Sequence, residues 1–170
     1  MAEKPVLAWL AALIDGEGSV MLNKRTYSGN TASTMERGGI HYRAVVVVAC
    51  NTDYRLMEAI GDRMGVGQIY QHRINGDPRT PRKRAQWTYR LNAGQIREWL
   101  PEIRPWLVLK GEQADLLMES LDIKTQLTPG NAGFLPANRP PLLERLDAIY
   151  TEIRRLNTRG RETQEAGDAK

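Results

Sequence analysis

The order in which helical and strand-like patterns follow one another is the strongest constraint on the fold of this chain. Between about Pro5 and Asp15, apolar residues recur at helical spacing and a proline stands in the first turn, which predicts a helix. From Gly18 onward the pattern alternates with a period of two, which predicts a strand, and Gly16 is the expected C-cap of the helix. The chain therefore opens as a helix followed by a β-hairpin.

Strand-like and helical patterns alternate along the rest of the sequence as well. Predicted strands occupy 19–27, 40–51, 68–74 and 86–93, and predicted helices occupy 5–15, 53–64, 94–100, 111–121 and 140–156. The resulting α-β-β-α-β-β-α order predicts an α+β fold, in which a four-stranded antiparallel sheet carries helices on one face and extra helices follow at the C-terminus. We expect one domain over 1–158 and a polar, disordered tail over 159–170.

Composition restricts the class of protein. The chain has 170 residues, 41% of them hydrophobic, which is typical of one globular domain. No apolar run approaches the roughly 18 residues of a membrane span, and the N-terminal apolar run ends in acids, so we expect neither a membrane partner nor a signal peptide. Cys50 is the only cysteine, which excludes an intrachain disulfide and favours a reducing, intracellular compartment, either a bacterial or phage cytoplasm or an organelle.

The supply of metal ligands is equally restrictive. With two His and one Cys, the chain is poorly equipped for a zinc site. A bound metal would be held mainly by oxygen atoms and would then be a hard ion such as Mg²⁺.

Basic residues are concentrated in one segment. Residues 20–90 hold twelve Lys or Arg and five Asp or Glu, a net charge of +7, although the whole chain carries only +4. This concentration is expected of a nucleic-acid-binding surface, and a solvated, Arg-rich sheet face is the alternative.

An open sheet face would carry long polar side chains of the kind that read base edges in the major groove of DNA. β-sheet readers of DNA are an established class. The candidates on the strands are Lys24, Thr26, Arg43, Gln68, Tyr70, His72, Gln86, Thr88 and Arg90. The candidates for phosphate contact at or near the hairpin tips are Arg25, Arg79, Arg82, Lys83 and Arg84, and Arg73 is a further DNA-binding candidate.

The first helix carries a stripe of short side chains. Ala8, Ala11, Ala12 and Asp15 fall three and four residues apart and share one face. Such a stripe lets a second helix approach closely, although ordinary core packing also accounts for it. Directly at its end, residues 15–18 read DGEG, two acids interleaved with two glycines.

The segment LAALIDGEG, from Leu10 to Gly18, resembles the LAGLIDADG motif of homing endonucleases. Its three departures, Ala12 for Gly, Gly16 for Ala and Glu17 for Asp, each keep the physical type of the side chain. A helix precedes the motif and a basic hairpin follows it, and the matching element order covers about two thirds of the chain. The resemblance implies metal-dependent cleavage of double-stranded DNA at long, rare sites.

Single-motif members of that family act as homodimers, so the resemblance implies that two copies of this chain pack their motif helices together. The seam between the helices would consist of Ala8, Ala11, Ala12 and Asp15. Metal binding would fall to the Glu17 carboxylate and the Gly16 carbonyl. Mg²⁺ would be the metal, with Mn²⁺ able to substitute and Ca²⁺ binding without supporting cleavage.

The resemblance also implies further catalytic residues. Lys110, before the helix that follows the sheet, would act near the attacking water, and the alternative is a solvated lysine at a helix start. Asn51, at the end of the second strand, would orient water or cap the helix that begins near Asp53. Arg55 is a candidate for contact with the scissile phosphate.

The function that the resemblance implies is a homodimeric, Mg²⁺-dependent endonuclease that acts across the minor groove, and twofold symmetry would favour a pseudo-palindromic site. Its partners would be double-stranded DNA and a second copy of the chain, with no small-molecule substrate. One alternative is an intron maturase or another non-cleaving nucleic-acid binder of the same fold. Another is an Arg-rich α+β domain in which DGEG is only a turn.

Overall fold

The computed structural model of the protein describes residues 3–26, 40–72, 85–127 and 139–167. In chain order its elements are α1 (Lys4–Glu17), β1 (Ser19–Thr26), β2 (Ile40–Asn51), α2 (Tyr54–Met64), β3 (Gln68–His72), β4 (Gln86–Leu91), α3 (Ala93–Ile103), a 3-10 turn (Arg104–Trp106), α4 (Gly111–Leu127) and α5 (Arg139–Gly167). The predicted α-β-β-α-β-β-α order and the α+β class are confirmed.

The strands form one four-stranded antiparallel sheet in the order β1-β2-β4-β3. The second strand of each hairpin is therefore central, and the two hairpins join where β2 pairs with β4. β2 is buried almost continuously from Tyr42 to Ala49, interrupted by the exposed Arg43. A long buried run of β-branched residues suits a strand with neighbours on both sides.

Local signals set the ends of α2 and α3. Asp53 caps α2 by accepting a hydrogen bond from the N–H of Arg55 at 3.0 Å. Gly65 ends that helix with φ of 65°, a conformation that glycine adopts without strain. At the start of α3, Asn92 and Gln95 form a reciprocal capping box.

The join between α1 and β1 depends on a close backbone approach. α1 runs to Glu17 and its C-cap is Gly18, so the predicted C-cap at Gly16 is wrong. A Cβ atom on Gly18 would lie 2.3 Å from the carbonyl oxygen of Val47. The approach occurs at a β-bulge, because the register of β2 against β4 shifts between Val47 and Ala49.

The bulge decides which face of the sheet the end of β2 presents. Before it, Val47 pairs with Arg90, and after it, Asn51 pairs with Trp87. Arg90 and Trp87 lie on opposite faces of β4, because side chains alternate along a strand. Strict alternation from Val47 would put Asn51 on the Arg90 face, so the bulge moves Asn51 to the other face.

Several helices are longer than predicted. α3 extends to Ile103, α4 to Leu127 and α5 to Gly167, which is past residue 158, where the sequence placed the end of the domain. Within the described parts of the chain, no helix combines the length and apolar character that crossing a membrane requires.

The chain divides into two compact units. The first comprises Met1–Val20 and Val45–Ala114, and the second comprises Met21–Ala44 and Asp115–Lys170. Each has its own buried apolar residues. Those of the first include Leu10, Ile14, Met57, Ile60, Ile96 and Leu100, and those of the second include Leu117, Leu146, Ile149 and Ile153. The motif, β3, β4 and Lys110 all belong to the first unit.

Candidate active site

The C-terminal end of α1 is the place where the predicted catalytic residues meet. Gly16 and Glu17 are exposed there. The last carbonyl groups of a helix lack intrahelical partners and carry partial negative charge, so this end attracts cations. The last turn of α1 contains no basic residue, and a cation must therefore come from elsewhere in the chain or from solution.

Glu17 is held by Asn51. The Asn51 amide Nδ2 donates to Glu17 Oε2 at 2.9 Å, while Asn51 Oδ1 accepts the backbone N–H of Asp53, also at 2.9 Å. The amide is thus fixed through its oxygen by the residue that caps α2, and its N–H is directed at the carboxylate. The Asn51 side chain therefore holds the turn before α2 and contacts Glu17 at the same time.

Lys110 supplies the cation at the helix end. Its Nζ donates to the carbonyl oxygens of Ile14 at 2.7 Å and Asp15 at 2.5 Å, so it is not a freely solvated lysine. Burial lowers the pKa of Lys110 below its ordinary value, and the negative charge of Asp15 opposes part of that decrease. An ammonium group has three donors, which leaves one N–H of Lys110 beyond these two contacts.

Asp15 is committed to the scaffold. Its carboxylate accepts hydrogen bonds from the backbone N–H groups of Val108 (2.7 Å), Leu109 (3.2 Å) and Lys110 (2.9 Å). These charge-assisted bonds hold the segment before α4 against the end of α1 and fix the backbone of Lys110. Sequence reasoning missed this contact, which joins residues more than ninety positions apart and leaves no local pattern.

The oxygen donors at this helix end suit a hard cation, but one chain provides few of them. Because Asp15 is occupied by three N–H groups, the carboxylate that remains for a metal is that of Glu17. Among the residues that the structure describes, no group of three or more His, Cys, Asp or Glu side chains could hold a metal ion. A carboxylate and backbone carbonyls are the ligands of Mg²⁺, which commonly completes its shell with water and substrate phosphate.

The residues of the predicted seam stripe on α1 differ in exposure. Ala11 is fully buried within a single chain, so it has no surface left for a partner. Ala12 is exposed and Ala8 is half-buried, and Gly16 is exposed one turn beyond Ala12. The small-residue surface of α1 therefore consists of Ala8, Ala12 and Gly16.

On β3 and β4, six of the predicted DNA-binding residues share one face of the sheet. The cross-strand pairs are Gln68 with Arg90, Tyr70 with Thr88, and His72 with Gln86. Gln68, Tyr70 and Gln86 are exposed and Arg90 is half-buried. Thr88 is only 1% exposed, and its hydroxyl lies 3.6 Å from Cys50 Sγ, so its side chain is covered within this chain.

On β1 and β2, the exposed candidates are Arg25 and Arg43. Lys24 alternates with Arg25 and lies on the side of the buried Leu22, where its ammonium group pairs with the carboxylate of Asp147. That pairing raises the pKa of Lys24. The positive charge of Lys24 is thus already paired with a carboxylate of the same chain.

Arg55 remains exposed, with 87% of its side chain accessible, but it is paired with Asp53. Its Nη2 lies 2.5 Å from Asp53 Oδ2, and these bonds lower the pKa of Asp53 to about 2. The side chains of Thr26 and His72 lie outside the described part of the structure. So do the remaining candidates, which are Arg73, Arg79, Arg82, Lys83 and Arg84.

Comparison with solved structures finds the same architecture in DNA-cleaving proteins. The homing endonuclease I-CvuI in complex with its target is 17% identical, with a TM-score of 0.63 over 88% of this chain and 80% of that chain. The archaeal intron-encoded homing endonuclease I-Vdi141I complexed with DNA is 15% identical, with a TM-score of 0.63 over 88% and 82%. The LAGLIDADG homing endonuclease I-SmaMI bound to cleaved DNA is 20% identical, with a TM-score of 0.57 over 87% of this chain and 43% of that chain.

In sequence comparisons, no family model and no curated protein matches the chain. At these identities, the structural matches establish a shared fold.

Proposed function

We propose that this chain, which has the fold of the LAGLIDADG homing endonucleases, is a homodimeric, metal-dependent endonuclease that cleaves double-stranded DNA at a long pseudo-palindromic site. The proposal rests on one observation above all. The exposed end of α1 presents the Glu17 carboxylate, held by Asn51, and the same helix end binds the ammonium group of Lys110 through the carbonyl oxygens of Ile14 and Asp15. This combination of a hard anionic ligand and a fixed cation suits hydrolysis of a phosphodiester.

The protein's own groups have separate tasks in this proposal. Hydrolysis requires a water oxygen to bond to phosphorus while the bond from phosphorus to the 3′ oxygen breaks, and negative charge develops on the phosphoryl oxygens. The remaining N–H of Lys110 is available to donate to that charge or to the attacking water. Asn51 keeps the Glu17 carboxylate in one orientation, and Asp15 keeps the backbone of Lys110 in place.

Glu17 and the Gly16 carbonyl would hold a divalent ion, Mg²⁺ in the first instance. Such an ion, when bound, supplies positive charge to the attacked phosphate and lowers the pKa of its bound water. Few carboxylates lie at the end of α1 among the residues that the structure describes, which supports a dimer, because a second copy would bring its own Glu17. The small-residue surface formed by Ala8, Ala12 and Gly16 would let the two α1 helices approach closely.

The test is selection of cleaved sequences from a randomised duplex library in Mg²⁺, with Ca²⁺ as the matched control, and light scattering of the same preparation. We expect paired breaks at one pseudo-palindromic sequence in Mg²⁺, intact but bound DNA in Ca²⁺, and a dimeric mass. A monomer that cuts nothing would contradict the proposal. RNA-stimulated splicing without DNA cleavage would replace it with a maturase.

The pH dependence of cleavage tests the role of Lys110. Because burial lowers the pKa of Lys110, its ammonium group loses its proton at a lower pH than an ordinary lysine, whose pKa is 10.5. We expect the cleavage rate to fall on the alkaline side at correspondingly lower pH. Lys110→Arg stays charged throughout and should lack that alkaline limb, whereas Lys110→Met should be slow at every pH. An unchanged alkaline limb in Lys110→Arg would assign it to another group.

A further inference from the structure

One arginine on the exposed sheet face, Arg90, lies over a tyrosine ring. The Arg90 guanidinium lies 4.9 Å from the centroid of the Tyr70 ring. Tyr70 stands on the neighbouring strand, and its hydroxyl donates to the side-chain oxygen of Gln68, which is the direct cross-strand partner of Arg90. The three side chains therefore form one cluster across β3 and β4, with Tyr70 in contact with both of the others.

The hydrogen-bonding capacity of Arg90 is unused within the described residues. Its Nε atom is buried and has no hydrogen-bond partner there. Arg55, an exposed arginine of α2, differs, because it is paired with the carboxylate of Asp53. Because its Nε is covered, the edge of the guanidinium that can meet a ligand is the one formed by the two terminal nitrogens.

We propose that Arg90 is a specificity-determining residue that reads one guanine in each half-site, with Tyr70 as its positioning residue. The inference rests on the proposed DNA-cleaving function and names what this part of the surface recognises. Two parallel N–H groups match the O6 and N7 acceptors that guanine presents in the major groove. Stacking on Tyr70 removes rotamer freedom before binding, so less entropy is lost when the contact forms.

A base contact fits this cluster better than a phosphate contact. Arg90 is half-buried and lies on the sheet face, between neighbours on two strands, whereas phosphate contacts are served by extended, exposed arginines. Stacked arginine also depends on its planar fork, which lysine lacks. A contact that needs only positive charge does not require the arginine to lie over Tyr70. A two-point contact with a base edge benefits from it, because the plane of the guanidinium is then fixed.

The experiment compares base-preference profiles, measured by binding to a randomised duplex library in Ca²⁺, for the wild-type chain and four variants. Arg90→Ala removes the contact, and Arg90→Lys keeps the charge without the fork. Tyr70→Leu removes the stacking ring, and Tyr70→Phe is the matched control that keeps the ring and loses the hydroxyl. Two measurements show whether each variant is folded: its thermal unfolding, and whether it keeps the wild-type base preference at the other positions of the half-site.

We expect both Arg90 variants to lose preference for guanine at one position of each half-site by between about 5- and 150-fold, while the other positions keep theirs. Tyr70→Leu should lose part of that preference and Tyr70→Phe should keep it. A uniform loss of affinity with an unchanged profile would make Arg90 a phosphate contact and overturn the inference alone. A wild-type chain that selects no DNA sequence would overturn the proposed function together with it.

Discussion

Glu17→Gln is expected to abolish DNA cleavage while leaving DNA binding intact. The substitution removes the one carboxylate that each chain has free at the end of α1, yet glutamine keeps the size of the side chain and an oxygen for the Asn51 amide. Loss of a group that stabilises the transition state typically costs about 10²- to 10³-fold in rate, and loss of a metal ligand at least as much. The measurement is the single-turnover cleavage rate in Mg²⁺, alongside affinity in Ca²⁺.

The matched control for this substitution is Glu58→Gln. Glu58 is also an exposed glutamate of the first unit, on α2, and its substitution by glutamine changes the net charge by the same amount. Its cleavage rate should remain that of the wild type. Undiminished cleavage by Glu17→Gln would remove Glu17 from the metal site and with it the proposed mechanism.

Gly18→Ala is expected to destabilise the fold severely. The added methyl group would meet the carbonyl oxygen of Val47 at 2.3 Å and the Cα of Ile14 at 2.7 Å, and both are backbone atoms that cannot swing aside. Overpacking of this kind commonly costs about 1–3 kcal/mol, and rigid backbone neighbours place it at the upper end or beyond. Urea unfolding followed by tryptophan fluorescence measures the change in the free energy of unfolding.

The comparison with Gly16→Ala makes this test specific. A Cβ atom on Gly16 would have nothing within 4 Å, and the residue lies within α1. Alanine there should stabilise a single chain slightly, by up to about 1 kcal/mol, because it favours helix over glycine. Equal destabilisation by the two substitutions would show that the Gly18 contacts are not what holds the end of α1 against β2.

Element types and their order could be predicted because they depend on local pattern. The alternating residues of β1, the apolar spacing of α2 and the turn signal at Gly65 each act over a few positions. The chain's two units were not predicted, since the boundary crosses β1 and β2 in the middle of strands. No change of composition marks such a boundary.

The candidate site was predicted in its membership and less well in its contacts. Glu17, Asn51 and Lys110 do converge on the end of α1, but the bulge that turns Asn51 to the required face has no sequence signal. The three bonds that Asp15 accepts are equally invisible, because their donors are backbone N–H groups, which every residue except proline possesses.

Two of the sheet residues predicted to contact DNA, Lys24 and Thr88, differ from the others in exposure for physical reasons. Lys24 follows the buried Leu22 in alternation, and its long stem allows the charge to reach Asp147 from an apolar face. Thr88 has a short side chain on a central strand, where it pairs with Cys50 of β2 and Tyr70 of β3, and it is buried. A polar residue type therefore indicates an open face only where its length and position let it emerge.

Because Asp15 is occupied by three backbone N–H groups, Glu17 is left as the metal-binding carboxylate, and this affects how a variant allele would behave. If each chain contributes only the Glu17 carboxylate, the cleavage of both target strands depends on the same residue of the same gene. A variant allele at that position would then affect dimers that also contain an intact chain. In the proposed dimer, a chain with Glu17→Gln would still fold and pair, so in a mixed population it would form dimers with intact chains that hold only one Glu17. Such dimers would nick one strand instead of breaking two. The altered allele would then be dominant, and it would convert a double-strand cutter into a source of single-strand nicks.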